Sequence, residues 1–266
     1  MRVVRSQALA AQIRLSVLQQ SKRAHIGHIG SSLSIADLLA VLVDEGGLEL
    51  DRGPVRADRD RFVLAKGHAV LAWYCALHAV GRLSAEQLDT FAGDGTDLAG
   101  HPEHVLDDVD FCTGSLGHGL SIGTGAALAA RLQGSARRVV VLLSDAECNE
   151  GSVWEAIMFA AQHGLDNLTA IVDLNGQQAL GYTSEVLDLS DMAGRWRAFG
   201  WDAVEVDGHD CDAIKAALDA PREGRPRVLV AHTTFGKGVD YMQSRIEWHY
   251  MPMDDTQYAA ALEQVS

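Results

Sequence analysis

Asp145 and Asn175 are the residues whose type and spacing best suit chemistry. Each stands just past an apolar run, in Leu142-Leu143-Ser144-Asp145-Ala146-Glu147 and Ile171-Val172-Asp173-Leu174-Asn175-Gly176-Gln177. Both side chains are short and offer oxygen to a hard cation. The stretch between them reads as a helix, so the two runs form a strand–helix–strand crossover whose strand ends meet at one edge of a parallel sheet. Ligands of open α/β sheets bind at that edge. Asp145 and Asn175 could therefore share one divalent cation, with the backbone carbonyl of Gln177 as a third oxygen. A cation held this way commonly carries a phosphate or diphosphate. Taken singly, Asp145 is as readily the N-cap of the next helix, and Asn175-Gly176 a plain turn. Their joint placement, with Glu150 in the connecting turn, favours the metal.

Histidine follows glycine five times, at Gly27-His28, Gly67-His68, Gly100-His101, Gly117-His118 and Gly208-His209. Composition alone predicts roughly one such pair. Glycine lets backbone approach a ligand closely, and histidine changes charge near neutral pH. One pair alone is more readily a turn beside a surface or helix-capping histidine; the set suggests a pocket lined with imidazoles. Thr113-Gly114-Ser115-Leu116-Gly117-His118-Gly119 could be a nest of N–H groups, a wall against a flat ring, or a plain Gly-rich turn.

Alternating elements must position these residues. The period of Leu9, Ile13, Val17 and Leu18 predicts a helix over 6–23. Ser34 and Asp37 fit a capping box opening a helix that runs through Val43, and Ser84 with Gln87 fit another. Asp51 to Asp60 reads as a charged loop around Gly53-Pro54, and 93–109 as an acidic loop. Strands are predicted at 61–65, 138–143, 168–173, 202–206 and 226–232. Helices are predicted at 69–80, 119–132, 151–163, 190–199, 210–219 and 255–264. The small residues of 119–132 imply close packing, inside the domain or against a partner. The pattern implies an α/β fold, a mostly parallel sheet with helices on both faces, in a single domain over 1–266.

Bulk properties narrow the classes. A net charge of −14 argues against a nucleic-acid or anionic-membrane surface. No apolar run approaches the roughly 20 residues of a membrane span. Four cysteines without a CxxC pair argue against a zinc ribbon or a thioredoxin-type site. The N-terminus reads as an amphipathic helix rather than a signal peptide, and a cytoplasmic protein is expected.

Asp145 followed at this spacing by Asn175 resembles the thiamine diphosphate motif, Gly-Asp-Gly and then Asn. Gly27-His28-Ile29-Gly30, Lys66-Gly67-His68-Ala69, Gly100-His101-Pro102-Glu103, Thr113 to Gly117, Glu150-Gly151 and Trp248-His249 resemble transketolase blocks, in the family's order over nearly the whole chain. The length resembles that of the N-terminal subunit of split transketolases. The resemblance implies the PP-type thiamine diphosphate-binding fold. It further implies that Asp145, Asn175 and the Gln177 carbonyl bind Mg²⁺ (or Ca²⁺) bridging the cofactor diphosphate, with Ala146 and Glu147 alongside. His68 and His249 are expected near the phosphates and thiazolium, and His28, His68 and His101 facing the substrate. Gly114, Ser115 and Leu116 are expected against the aminopyrimidine, and Glu150 as a relay at a dimer interface.

The implied reaction moves a two-carbon ketol unit from a ketose phosphate to an aldose. A specialised ketol or acyl transferase acting on a carrier protein or biosynthetic intermediate is the alternative, and a non-catalytic homologue a third reading. The family's activating glutamate and sugar-phosphate ligands lie in a pyrimidine-binding domain for which 266 residues leave no room. A separate C-terminal subunit is therefore expected, as α2β2, and this chain alone is expected to be inactive. Ser144, Ala146 and His118 depart from the family pattern; Ala146 resists positive φ, which predicts a tighter or shifted diphosphate turn.

Overall fold

The computed structural model of the chain describes residues 2–50 and 58–265; most of the loop expected at Asp51 to Asp60, with Gly53-Pro54, lies outside the described residues. Five parallel strands form one sheet: β1 (Arg61–Leu64), β2 (Val139–Ser144), β3 (Leu168–Leu174), β6 (Asp202–Asp207) and β7 (Arg227–His232), ordered β1-β2-β3-β7-β6. Two-residue strands β4 (Gln177–Gln178) and β5 (Gly181–Tyr182) pair antiparallel as a hairpin beyond β3. The helices are α1 (Arg2–Ala24), α2 (Ile29–Ser34), α3 (Ala36–Val43), α4 (Val70–Ala79), α5 (Ala85–Leu88), α6 (Gly119–Leu132), α7 (Gly151–Gln162), α8 (Thr183–Val186), α9 (Met192–Ala198), α10 (Cys211–Asp219) and α11 (Asp255–Val265).

The central strands read VVVLLS and LTAIVDL, apolar over most of their length and rich in β-branched residues, because a parallel sheet buries both faces. Their side chains alternate between two cores. Phe62, Leu64, Val140, Leu142 and Ile171 join Ile13 and Val17 of α1, Leu38 of α3 and Ile214 of α10. Val63, Val141, Leu143, Ala170 and Val172 join Leu120 of α6, Ile157 of α7 and Trp196 of α9 on the other face. Each such large aliphatic side chain contributes about 1.5–3 kcal/mol relative to exposure.

The small residues of α6 serve this packing on one face only. A Cβ on Gly123 would lie 2.2 Å from Val141 Cγ2, whereas one on Gly125 meets nothing within 4 Å.

The capping box expected at Ser34 does not form. Ser34 ends α2 and turns inward, donating to Asp173 Oδ2 at 2.8 Å, and α3 begins after Ile35 without a side-chain cap. Asp37 instead accepts from Arg14 and pairs with His209 at 2.7 Å. Buried partners outcompete the helix terminus for both side chains. The box at Ser84 and Gln87 does form, over the single turn of α5.

Candidate active site

Strands β2 and β3 run in register, Ser144 opposite Asp173, so Asp145 and Asn175 emerge at one sheet edge. Asp145 is 3% exposed. Its Oδ1 accepts from Ala146 N and its Oδ2 from Gly176 N, each at 2.8 Å, which fastens the end of β2 to the turn after β3. Asn175 Oδ1 accepts from Gln177 N at 2.9 Å, so Gln177 closes the same turn. Burial, and then the neighbouring charge of Asp173, push the Asp145 carboxyl up to about 7. A buried carboxylate that accepts only main-chain N–H groups is suited to a cation. The donor set, one carboxylate, one amide and one carbonyl, is hard oxygen that suits Mg²⁺ or Ca²⁺. No cluster of three or more His, Cys, Asp or Glu among the described residues could hold a metal, so any cation here needs oxygens from its ligand or water. A cavity of about 130 Å³ opens beside Asp145, between Asn149 and the segment from Leu187 to Met192.

Asp145 is right-handed (φ −58°), and Ala146 is not among the residues of positive φ. It starts a short 3₁₀ turn over Ala146–Asn149.

Three of the expected histidines come together. The ring centroids of His28, His68 and His249 form a triangle with sides of 5.2, 5.4 and 5.4 Å. His28 sits left-handed (φ 59°) at the start of α2, which turns its ring from the helix into the cluster. His68 Nε2 bonds Ser31 Oγ at 2.9 Å, and Phe235 stacks on His249 at 5.9 Å. His249 Nδ1 is buried with no hydrogen-bond partner among the described residues. Burial lowers all three below the usual imidazole range, His249 to about 4, and the Lys66 charge adds to this. At neutral pH they are uncharged, each able to donate and accept a proton. His101 stands apart from the triangle, exposed, its ring against Gly114, where a Cβ would lie 2.9 Å from His101 Cδ2.

The Gly-rich loop is tied down at both ends. Thr113 Oγ1 donates to Leu64 O at 2.6 Å. Gly117 N donates to Glu147 Oε1 at 2.9 Å, and Gly117 O accepts from Ser152 Oγ. Ser115 and Leu116 remain exposed between these anchors, and the exposed Glu150 packs its Cβ under Gly117. Glu147 is 1% exposed and also accepts from Ser144 N, so it braces this loop against the end of β2. Its carboxylate is enclosed by protein and spent on that brace.

Sequence reasoning gave no role to Lys66 or Asp173, yet they link the site. Both are fully buried, with Lys66 Nζ 2.5 Å from Asp173 Oδ2. Lys66 also donates to Ser31 O at 3.1 Å, which reaches the histidine triangle through the Ser31–His68 bond. The available signal was a charged residue at the end of each of two apolar strands; the pairing itself spans 107 residues.

The sheet edge, its oxygen donors and the imidazole triangle define an α/β domain with a polar site at the ends of its strands. The family model for the thiamine diphosphate binding domain of transketolase matches residues 5–265, and the chain belongs to the transketolase family. It is 41% identical over 247 residues to one subunit of the apulose-4-phosphate transketolase of Phocaeicola vulgatus, covering 92% of this chain and 88% of that one. A 6-deoxy-6-sulfo-D-fructose transketolase subunit of a Clostridium species is 36% identical, with 95% and 93% covered. The crystal structure of Campylobacter jejuni transketolase superposes with a TM-score of 0.93 at 30% identity, over 100% of this chain but 43% of that one. The chain thus spans less than half the length of that transketolase.

Proposed function

We propose that residues 1–266 form the single diphosphate-binding domain of a two-chain transketolase. It takes a two-carbon ketol unit from a ketose phosphate and passes it to an aldose acceptor. Asp145, Asn175 and the Gln177 carbonyl would hold Mg²⁺ (or Ca²⁺), which would supply positive charge to a diphosphate near the main chain of Ala146. Bound thiamine diphosphate supplies the carbon nucleophile for the exchange. This chain's own part is to hold and to move protons. The uncharged His28, His68 and His249, with His101, exchange protons with substrate hydroxyls without placing fixed charge beside the cofactor. Gly114, Ser115 and Leu116 offer a wall to the aminopyrimidine, and Glu150 presents its carboxylate to a second active site. The observation that carries the reading is the buried Asp145, which joins β2 to the Asn175–Gln177 turn through main-chain N–H groups and forms no ion pair among the described residues.

The activating carboxylate and the sugar-phosphate ligands come from a separate pyrimidine-binding subunit, in an α2β2 assembly in the cytoplasm. Relatives of matching length are named as transketolase subunits. An apolar rim supports a partner as well. Leu180 is 79% exposed and Tyr250 and Met251 56% each, and Tyr250 Oη bonds Ala179 O, which joins the hairpin to the tail segment. No helix among the described residues is long and apolar enough to cross a membrane.

Reconstitution tests the proposal. This chain and its partner subunit are purified separately and assayed for ketol transfer with Mg²⁺ and thiamine diphosphate. Turnover only in the mixture is expected; full turnover by this chain alone would overturn the two-chain reading.

A further inference from the structure

The Asn175 amide has two chemically distinct ends, and only its oxygen can serve a cation. Its orientation is fixed by Asp173. Asn175 Nδ2 donates to Asp173 Oδ2 at 2.7 Å, and a carboxylate accepts only the nitrogen end. Oδ1 is thereby turned to the Gln177 side of the turn that Asp145 fastens. Asp173 is itself held fast: it is fully buried and accepts from four side chains on separate segments. Lys66 follows β1, Ser34 ends α2, Asn175 follows β3 and Thr233 follows β7. Lys66 continues through Ser31 to His68.

We propose that Asp173, seated by Lys66, is a positioning residue that presents the Asn175 oxygen to the cation and ties that oxygen to the histidine triangle. This rests on the metal reading proposed above. Partners of this kind set ligand orientation, and losing one costs roughly 10–100-fold in metal affinity.

Removing Lys66 or Asp173 alone would strand a buried charge, so the test uses two electrically neutral pairs, Lys66→Met/Asp173→Asn and Lys66→Met/Asp173→Val. The first keeps an oxygen that accepts from Asn175 Nδ2; the second has none. Calorimetry of each chain assembled with its partner subunit, with Mg²⁺ and thiamine diphosphate, should show the asparagine pair within about threefold of wild type and the valine pair weaker by roughly 10-fold or more. Equal affinity of the two pairs, with wild type binding, overturns the positioning role alone. A wild-type assembly that binds nothing overturns the metal reading itself, and this inference with it. A second measurement needs no stable variant: in ¹⁵N spectra of the wild-type chain the Asn175 side-chain amide should be dispersed and slow to exchange. An Asn175 amide averaged with the solvent-exposed ones overturns the proposal.

Discussion

Gly30→Ala tests how tightly the histidine cluster is built. An added Cβ would lie 2.1 Å from Phe235 Cε1, where carbon atoms ordinarily rest about 3.5–4.0 Å apart. One of the two must move by about 1.5 Å. The backbones cannot part freely, because Gly236 N donates to Gly30 O at 3.0 Å. The Phe235 ring is 1% exposed, with one face on His249 at an interplanar angle of 11°, so it has little room to move. Overpacking of this kind costs roughly 1–3 kcal/mol. For a chain of this size that lowers Tm by roughly 2–10 °C. Thermal unfolding followed by circular dichroism reads the shift. Gly30→Ala with Phe235→Leu, which shortens the opposing side chain, should recover part of the loss, a non-additivity expected only for residues in contact. A Gly30→Ala protein melting within about 1 °C of wild type would refute the reasoning.

Three further outcomes follow from the same geometry. The histidine triangle is uncharged when folded and takes up protons when unfolded, so it adds stability above about pH 6.5 that is lost as pH falls toward the folded His249 value of about 4. Asp145 and Glu147, raised to about 7, act in the opposite sense, so the comparison of His249→Leu with wild type isolates the histidine contribution. Tm of His249→Leu should fall less between pH 7 and pH 5; parallel curves would contradict it. Glu147→Ala leaves the buried N–H groups of Gly117 and Ser144 without their acceptor. A loss of about 1–3 kcal/mol is expected, with faster hydrogen exchange at Gly117. Leu180→Lys with Met251→Lys should change stability by no more than about 0.5 kcal/mol and abolish co-purification with the partner subunit, read by size-exclusion chromatography.

The main sheet was legible because a parallel strand buried on both faces leaves an apolar run that little else produces. Strands expected at 138–143 and 168–173 differ from β2 and β3 by one residue at their ends. The Gly-His loops pointed to an imidazole cluster, and two of those five histidines, His28 and His68, form it with His249. Their meeting depends on α2, the end of β1 and the tail, which come together only in the folded chain. What stayed hidden depends on distant partners. Ser34 carries the local signature of a cap, but Asp173, 139 residues away, takes its hydroxyl. Asp173 and Lys66 look like strand-end charges until the sheet brings them together. His209, in the fifth Gly-His pair, lies outside the triangle, bonding Asp37 through Nδ1 and accepting from Thr234 N through Nε2. The hairpin of β4 and β5 is too short for any period-two pattern to register.

The proposed function has cofactor binding turn on Asp145 holding a cation that would hold the diphosphate. Titrating thiamine diphosphate into the chain assembled with its partner subunit, with Mg²⁺ and then with excess chelator, tests this most directly, with Asp145→Ala alongside. Binding of one cofactor per chain that requires Mg²⁺ and disappears in Asp145→Ala is the predicted result. Equal binding in chelator, or undiminished binding by Asp145→Ala, would contradict it.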